Sequence, residues 1–241
     1  MLSRRELLVT GAAAAAVAAC GGGDAQTPAA SAVPITATGG PARYVPSGPT
    51  SSPAVALTFH TSGDPSLCNA LFEQARQLQA PITLFVVGSW LHDQPDTARR
   101  LLAEGHELAN HTYTHPELGK LDAGQVAEEI TRCRDELSSI TGQPSRWFRP
   151  SGIDAPTTLI LEEAGKAGYG TVIGFDVDPL DYQDPGTSAV TDRVRQRLHS
   201  GAIVSLHTSH QGTLDAFANI VSSIRAAGLQ PVTVSQLLGV P

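Results

Sequence analysis

The chain has 241 residues and a formal net charge of −7, with 23 acidic against 16 basic side chains. This acidic balance argues against a nucleic-acid partner and against electrostatic binding to anionic polymers. The 189 residues from Pro53 onward are enough for one domain with a sizeable hydrophobic core.

The N-terminal segment has the pattern of an export signal. Arg4 and Arg5 form a twin-arginine pair, and an alanine-rich apolar run follows over residues 7–19. This run is shorter than the about 20 apolar residues that span a bilayer. It ends at Cys20 in a context that resembles the lipobox of bacterial lipoproteins, in which cleavage precedes a lipid-bearing cysteine. The alternative is a plain Ala-x-Ala signal beside an accidental cysteine.

We therefore predict a signal over residues 1–19 and lipid attachment at Cys20, which makes the protein a membrane-anchored lipoprotein at the bacterial surface or in the periplasm. Residues 20–52 consist mainly of Gly, Ala, Pro, Ser and Thr and show no apolar periodicity. Such a segment cannot bury enough surface to offset the entropy of ordering. It is predicted to be a disordered tether, and residues 53–241 are predicted to form the folded domain.

From Val55 onward, apolar runs of strand length alternate with segments of helical periodicity. The predicted strands are Val55–Phe59, Ile82–Val87, a weak strand at Leu108, a strand that begins at Trp147, and then Thr171–Asp176, Ala202–Leu206 and Pro231–Val234. Six helices are predicted between them. This alternation predicts an α/β domain with a parallel sheet. A nearly closed barrel and an open doubly wound sheet are both compatible with the pattern.

Two cysteines lie in the predicted domain. Cys133 falls on the apolar stripe of a long predicted helix that Asp122 can cap, so it is expected to be a core residue. A disulfide between Cys68 and Cys133 is left open, because sequence does not fix disulfide connectivity.

Polar residues of catalytic type follow the predicted strands. They are His60 after the first strand, His111 and His115 after the third, Arg149 at the end of the fourth, Asp178 and Asp181 after the fifth, and His207 after the sixth. In a parallel barrel all of these positions lie at the C-terminal face, where loops build active sites. Structural residues scattered at random would be divided between the two ends. The pattern indicates an enzyme.

His111 and His115 stand four residues apart, a spacing that lets two imidazoles reach one metal ion. Zincins use the same spacing in His-Glu-x-x-His, but Thr112 stands where their glutamate base would be. Any base must therefore come from elsewhere in the chain. The alternative is a pair of surface histidines beside a turn at Pro116.

Five stretches resemble motifs of the polysaccharide deacetylases, carbohydrate esterase family 4. They are Gly105–His115, Thr83–Gly88, Phe148–Pro150, Asp178–Tyr182 and Leu206–His207. They occur in the family's order and extend over essentially the whole predicted domain. The chain is therefore identified as resembling this family, with a variant first motif. The expected fold is a distorted (β/α) barrel of about seven parallel strands in a single domain.

The resemblance implies a metal-dependent hydrolase that removes acetyl groups from a polysaccharide of the cell envelope or environment, an N-acetylglucosamine-type glycan above all. His111 and His115 would bind a divalent metal, expected to be zinc, whose bound water attacks the acetyl carbonyl. His207 would be the general acid, Asp181 would hold its imidazole, and Arg149 would orient the base. The protein is expected to act as a monomer on its acetylated glycan.

The first motif departs from the family pattern Thr-Phe-Asp-Asp-Gly-Pro, in which the first Asp is the base and the second is a metal ligand. Here His60 and Thr61 replace the two aspartates, and Asp64 appears three residues later. In one reading, which we prefer because Gly63 gives the loop freedom, Asp64 is the third ligand and His60 is the base. In the other, His60 is a ligand and Asp64, paired with Arg149, is the base.

The third motif also departs, because Ser-Gly-Ile at 151–153 replaces Pro-Tyr-Gly. The backbone N–H of Gly152 is the candidate oxyanion donor, and Tyr182 stands where the fourth motif has Trp. The missing aromatic residue leaves the substrate class open. Two other functions are considered: a metal-independent amidohydrolase on the same fold, and a non-catalytic glycan-binding lipoprotein.

Overall fold

The structure is a computed structural model that describes residues 39–61 and 63–240. The predicted signal, Cys20 and the tether up to residue 38 lie outside the described residues. In the described ranges, no helix has both the length and the apolar character needed to cross a membrane.

The described chain alternates strands and helices. The strands are β1 (Arg43–Val45), β2 (Ala54–Thr61), β3 (Thr83–Val86), β4 (Glu107–Asn110), β5 (Thr171–Ile173), β6 (Ile203–His207) and β7 (Gln230–Val232). The helices are α1 (Pro65–Gln77), α2 (Gly88–Asp93), α3 (Pro95–Ala103), α4 (Ala123–Thr141), α5 (Thr158–Lys166), α6 (Thr187–Arg197), α7 (Gln211–Ala226) and α8 (Val234–Leu237). Two 3₁₀ turns occupy Leu118–Lys120 and Asp181–Gln183.

The strand pairs are parallel, and β2 is the central strand. The main sheet has the order β4-β3-β2-β6, with β7 also paired to β2, while β1 pairs with β5. Isolated parallel bridges span the remaining gaps: Asn110 to Phe148, Phe148 to Val172, and Val177 to Val204. The fold is the predicted distorted (β/α) barrel, and the carboxyl ends of its strands share one face.

All eight residues of β2 are buried, as expected for a parallel strand covered on both faces. Phe59 from this strand meets Phe217 of α7 edge to face, with ring centroids 5.7 Å apart. Burying an apolar side chain of this size contributes about 1.5–3 kcal/mol. This core fixes the strand that carries His60.

The structure corrects the predicted tether. β1 lies inside residues 20–52 and pairs with β5, while the Ala42 N–H donates to the Leu161 carbonyl at 2.8 Å. The close approach depends on Gly165, because a Cβ there would lie 2.0 Å from the Gly40 oxygen. Three strand residues give no readable period, and their backbone partners come from a segment distant in sequence. The folded domain therefore begins before residue 53.

Two other predicted elements differ in the structure. The strand predicted from Trp147 is reduced to isolated bridges at Phe148. The single helix predicted between the strands at Ile82–Val87 and Leu108 is divided into α2 and α3, since Pro95 has no N–H to continue the first of them. The predicted cap at Asp122 is confirmed, with a full capping box to Gln125.

Both domain cysteines are buried, and their thiols contact different groups. Cys68 Sγ donates to Thr208 Oγ1 at 3.1 Å, and Cys133 Sγ contacts the Val86 carbonyl at 3.5 Å. The prediction that Cys133 is a core residue is confirmed, because its side chain is fully buried against the main sheet.

Whether the segment around β1 packs into the domain can be tested by introducing a charged side chain at Ala42. Ala42 is 4% exposed, whereas its neighbour Arg43 is exposed. Ala42→Glu should lower the free energy of unfolding by about 2–4 kcal/mol, because it buries an unpaired carboxylate. The control Arg43→Glu should change it by less than about 0.5 kcal/mol. Urea unfolding that shows equal, small effects would mean that this segment is a tether after all.

Candidate active site

The carboxyl ends of the strands surround a cavity of about 320 Å³. Seven of the predicted residues line it: His60, His111, His115, Gly152, Asp178, Tyr182 and His207. Arg149 and Asp181 lie directly behind this lining, each 1% exposed. Asp64 is not among the described residues that line the cavity. The parallel topology thus brings together all but one of the predicted residues.

Asp181 holds the ring and backbone of His207. Its Oδ1 accepts a hydrogen bond from His207 Nδ1 at 2.8 Å. Its Oδ2 accepts from the His207 backbone N–H at 2.8 Å and from Thr213 Oγ1 at 2.6 Å. Burial alone would raise the pKa of Asp181, but the hydrogen bonds from His207 and Thr213 outweigh it and the pKa is lowered. Asp181 is therefore a carboxylate, and Nδ1 of His207 carries a proton.

Arg149 is a buried cation without a carboxylate partner among the described residues. Its guanidinium donates to Thr58 Oγ1 at 2.8 Å, to the Gly174 carbonyl at 2.7 Å and to the Ile173 carbonyl at 3.2 Å. Nη1 also donates to Nε2 of His60 at 3.3 Å. Burial lowers the pKa of Arg149 to about 9, which still leaves it protonated at neutral pH. Arg149 was predicted to orient the base, and its guanidinium contacts His60, one of the two candidates for that base.

His60 and His111 are stacked, with ring centroids 4.1 Å apart and planes 23° from parallel. Burial, together with the charges of neighbouring side chains, holds the pKa of both imidazoles well below the usual value, so both are neutral. Nδ1 of His111 donates to the Arg149 carbonyl at 2.9 Å, which leaves the Nε2 lone pair. This Nε2 is buried and has no hydrogen-bond partner among the described residues. The His115 ring meets that of His111 edge to face, with ring centroids 4.9 Å apart.

The turn that carries His111 and His115 is strained and is held from helix α4. Thr112 and His115 have φ values of 67° and 60°, a left-handed conformation that non-glycine residues rarely adopt. Glu129 of α4 accepts hydrogen bonds from the N–H groups of Tyr113 and Thr114, both at 2.8 Å, and from Thr114 Oγ1 at 2.7 Å. Sequence reasoning missed Glu129, since no motif or spacing connects it to the histidines.

Asp64 is not in the site, which corrects both readings of the first motif. Its exposed carboxylate caps α1, where it accepts from the Ser66 N–H at 2.8 Å and the Ser66 hydroxyl at 2.6 Å. It therefore neither joins the histidines as a ligand nor pairs with Arg149 as a base. Thr61 offers no substitute, because its hydroxyl accepts from the Val87 N–H at 3.3 Å.

The residues fit a metal only in part. The unpartnered Nε2 of His111 and the adjacent imidazole of His115 have the chemistry of ligands. The Nε2 lone pair of His60 faces an N–H of Arg149, which opposes a third imidazole ligand. Within residues 39–61 and 63–240, no group of three His, Cys, Asp or Glu side chains is arranged to bind a metal ion. The predicted three-ligand centre is thus not present in this arrangement.

The remaining wall residues differ in character. Gly152 has φ 64°, and a Cβ there would lie 2.8 Å from Glu117 Cα, so glycine is required at this position. Tyr182 is 46% exposed, and its ring lies 5.4 Å from that of His207. Asp178, whose pKa burial raises, also lines the cavity. Sequence reasoning missed Phe175 and Ile153, which supply the apolar part of the wall.

The carboxyl ends of the barrel strands carry a histidine cluster, a buried arginine and an Asp–His pair. Together these groups form a site suited to acid–base chemistry. Residues 47–172 match the sequence profile of the family described as Polysaccharide deacetylase. The chain belongs to the polysaccharide deacetylase family. The variant first motif is therefore a departure within this family.

Two relatives and one solved structure show what the chain is similar to. The peptidoglycan-N-acetylmuramic acid deacetylase PdaC of Bacillus subtilis is 31% identical over 183 residues, which cover 76% of this chain and 38% of that protein. A chitooligosaccharide deacetylase of a Bradyrhizobium strain is 31% identical over 200 residues, with 76% and 90% covered. The chain thus spans well under half of PdaC but most of the second relative.

The structure of BA3943, a pseudoenzyme of carbohydrate esterase family 4 from Bacillus anthracis, superposes with a TM-score of 0.75. It is 23% identical, and the match covers 81% of this chain and 68% of that one. At this level of identity the likeness concerns the fold alone.

The hold of Glu129 on the histidine turn can be measured by amide hydrogen exchange. Hydrogen bonds to a charged group contribute about 1.5–3 kcal/mol each, so Glu129→Ala should speed exchange at Tyr113 and Thr114 by about 10- to 100-fold. Glu128→Ala, an exposed neighbour on the same helix, is the matched control. Equal exchange in the two variants would mean that the turn is held without α4.

Proposed function

We propose that this chain is a deacetylase that removes acetyl groups from an N-acetylglucosamine-type polysaccharide of the cell envelope or environment. The observation that carries the proposal is the convergence of two groups on one cavity: the His207 ring held by Asp181, and the unpartnered Nε2 of His111. The first is an acid–base pair, and the second is a free ligand atom. The activity in the names of the two relatives supports the same reaction.

The acid–base part of the mechanism follows from the tautomer of His207. Because Asp181 accepts from Nδ1, Nε2 of His207 lies on the opposite side of the ring, 3.0 Å from His60 Nδ1 in the wall of the cavity. From this wall it is proposed to exchange a proton with the leaving nitrogen or oxygen of the glycan. The buried carboxylate also stabilises the imidazolium when it forms. These two residues therefore protonate the leaving group.

The substrate is positioned by the cavity wall. The Gly152 N–H is the proposed donor to the developing oxyanion, because Gly152 lines the cavity in a left-handed backbone conformation. The exposed ring of Tyr182, beside His207, offers a sugar an apolar face and a hydroxyl group. A glycan lying along this wall brings its acetyl group to the histidines.

We propose that a divalent metal, zinc by the nature of the ligands, is held by His111 and His115. When bound, zinc polarises an acetyl carbonyl and makes water a stronger nucleophile at neutral pH. The chain supplies two neutral imidazoles for it, kept neutral by burial and aimed by the Arg149 carbonyl and the Glu129 contacts. Asp64 has no part in this centre.

A second candidate is a non-catalytic glycan-binding protein. The observation that favours it is the first motif, in which His60 and Thr61 replace both aspartates and the described residues form no three-ligand group. A metal-independent amidohydrolase would also tolerate this change. The intact Asp181–His207 pair favours an enzyme over a binding protein, because binding a neutral sugar does not require a buried acid–base pair.

The proposal is tested by acetate release from N-acetylated chitooligosaccharides, measured beside the metal content of the same samples. His111→Ala should lose bound metal and at least about 100-fold in turnover, because the remaining imidazole holds the ion poorly. Asp64→Ala is the matched control from the variant motif. It should keep metal and turnover within about twofold and lose only stability, since its carboxylate caps α1.

Two results would contradict the proposal. Loss of metal in Asp64→Ala would mean that the loop rearranges to bring this carboxylate into the centre. Wild-type protein that binds the oligosaccharide but releases no acetate, with or without added zinc, would favour the glycan-binding alternative.

We also propose export and lipid attachment at Cys20, on the strength of the twin-arginine pair and the lipobox-like cysteine. Cys20→Ala should accumulate as uncleaved precursor and lose lipid labelling, while Cys68→Ala should be processed normally. Membrane fractionation with labelled fatty acid makes the comparison. Release of a cleaved, unlipidated form by both variants would favour the plain signal.

A further inference from the structure

Two carboxylates line the cavity from loops that the acid–base mechanism does not use. Asp178 directly follows Val177, which bridges to Val204 of β6, and Asp154 lies in the loop before α5. Asp178 is half-buried, whereas Asp154 is exposed. The cavity therefore carries negative charge that neither the Asp181–His207 pair nor the proposed metal ligands account for.

The carboxylate of Asp178 is held in place and keeps one oxygen available. Its Oδ1 accepts from the Leu180 N–H at 2.7 Å, and within the described residues no donor contacts Oδ2. The neighbouring arginines bind backbone carbonyls instead. Arg197 donates to the Asp178 carbonyl at 3.2 Å and Arg193 donates to the Pro179 carbonyl at 2.8 Å. Neither arginine therefore neutralises the carboxylate.

The side chain of Asp154 is also without a cationic partner in the described part of the chain. Its recorded hydrogen bond is made by the backbone, where the carbonyl accepts from the Tyr44 hydroxyl at 3.2 Å. Among the described residues that line the cavity there is no lysine and no arginine. Burial raises the pKa of Asp178, and the negative charges of Asp181 and Asp154 add to that rise. A cation would relieve this like-charge setting, and an anion would make it worse.

An independent observation indicates that a ligand occupies this cavity. His111 is 1% exposed, and its Nε2 lies in the cavity wall without a hydrogen-bond partner among the described residues. Ile153 and Phe175 add an apolar wall beside the two carboxylates. A glycan whose acetyl group reaches His111 therefore brings a second sugar close to the wall that contains Asp178.

We propose that Asp178, assisted by Asp154, selects glycans that carry a protonated amino group on a sugar next to the one being deacetylated. The proposal rests on the proposed deacetylation and names its substrate class, which is a partly deacetylated, cationic chain of N-acetylglucosamine and glucosamine. An ammonium group has three donors and fits the available carboxylate oxygens. A neutral acetamido group gains no charge interaction there, and a sugar carboxylate is repelled.

The order in which acetyl groups leave a chain follows from this selection. Each hydrolysis replaces a neutral acetamido group by an amine, which takes up a proton. The product of one turnover is therefore a better ligand for Asp178 than the original chain. Acetyl groups should be removed in runs from one chain rather than at random positions among many chains.

The selection is tested with three oligosaccharides of equal length in mildly acidic buffer, which keeps sugar amines protonated. One is fully N-acetylated, one has a glucosamine beside an N-acetylglucosamine, and one has an N-acetylmuramic acid with a free lactyl carboxylate in that position. The amino-bearing chain should exceed the neutral one in kcat/KM by about 5- to 10-fold, and the carboxylate-bearing chain should fall below it by a similar factor, since partly screened charges act at this strength. Added salt should reduce both differences.

Asp178→Asn removes the charge and keeps an oxygen for the Leu180 N–H, so the fold should persist. The ratio of kcat/KM between the amino-bearing and the neutral chain should fall to within about twofold of unity, because the remaining carboxylate is exposed and well screened. Asp154→Asn should lower the same ratio by a smaller factor. Asp93→Asn, an exposed position that does not line the cavity, makes the same change in net charge and should keep the wild-type ratio.

The failure of this selection can be told apart from the failure of the proposed function. Isothermal titration calorimetry compares a glucosamine oligosaccharide with its N-acetylated counterpart and requires no turnover. Acetate release without a preference for the amino-bearing chain, or an equal preference in wild type and Asp178→Asn, would overturn the selection alone. Tighter binding of the amino-bearing chain that depends on Asp178, in a protein that releases no acetate, would support the selection and contradict the deacetylase.

Discussion

The buried guanidinium of Arg149 is the interaction on which the rest of the site depends. A cation in this position is costly unless its donors are satisfied, and here they are satisfied by neutral groups from several strands. Its partners and neighbours are Thr58 and His60 of β2, the Phe85 ring of β3 at 3.9 Å, and the carbonyls of Ile173 and Gly174 at the end of β5. One side chain thereby joins the carboxyl ends of three strands.

The backbone of the same residue aims a ligand. The Arg149 carbonyl accepts from His111 Nδ1, which fixes the tautomer that leaves Nε2 bare. The turn beyond His111 contains two non-glycine residues in left-handed conformation, and such strain persists only where neighbouring groups enforce it. Glu129 supplies that enforcement from α4. The orientation of the histidine pair is therefore fixed by the backbone carbonyl of Arg149 on one side and by the carboxylate of Glu129 on the other.

The alternation of strands and helices predicted a parallel α/β domain, and the family resemblance implied the barrel. Most of the site could be predicted for a simple geometric reason. Parallel strands end at one face, so a polar residue after each apolar run must lie near the others, as His60, His111 and His207 do. The cap at Asp64 was also readable, because an aspartate directly before Pro65 is a helix-start signal. Asp64 was preferred as a ligand instead, on the grounds that Gly63 gives the loop freedom, and the local helix-start signal proved correct.

Other features could not be read from the chain. Strand β1 has three residues and takes its partners from β5, so neither length nor periodicity identifies it. Glu129 reaches the histidine turn only because of how α4 packs, and α4 alone gives no sign of it. Contacts of this kind depend on tertiary geometry, in which residues distant in sequence satisfy backbone groups that local patterns leave unassigned.

Replacing an aspartate by His60 also changes the charge balance of the cavity. An aspartate beside Arg149 would neutralise the charge of the guanidinium locally. A neutral imidazole does not, so the positive charge of Arg149 acts on the rest of the site. The carboxylate of Asp181 lies on the far side of both imidazoles, hydrogen-bonded to His207. The charge of Arg149 favours negative charge on its own side of the cavity.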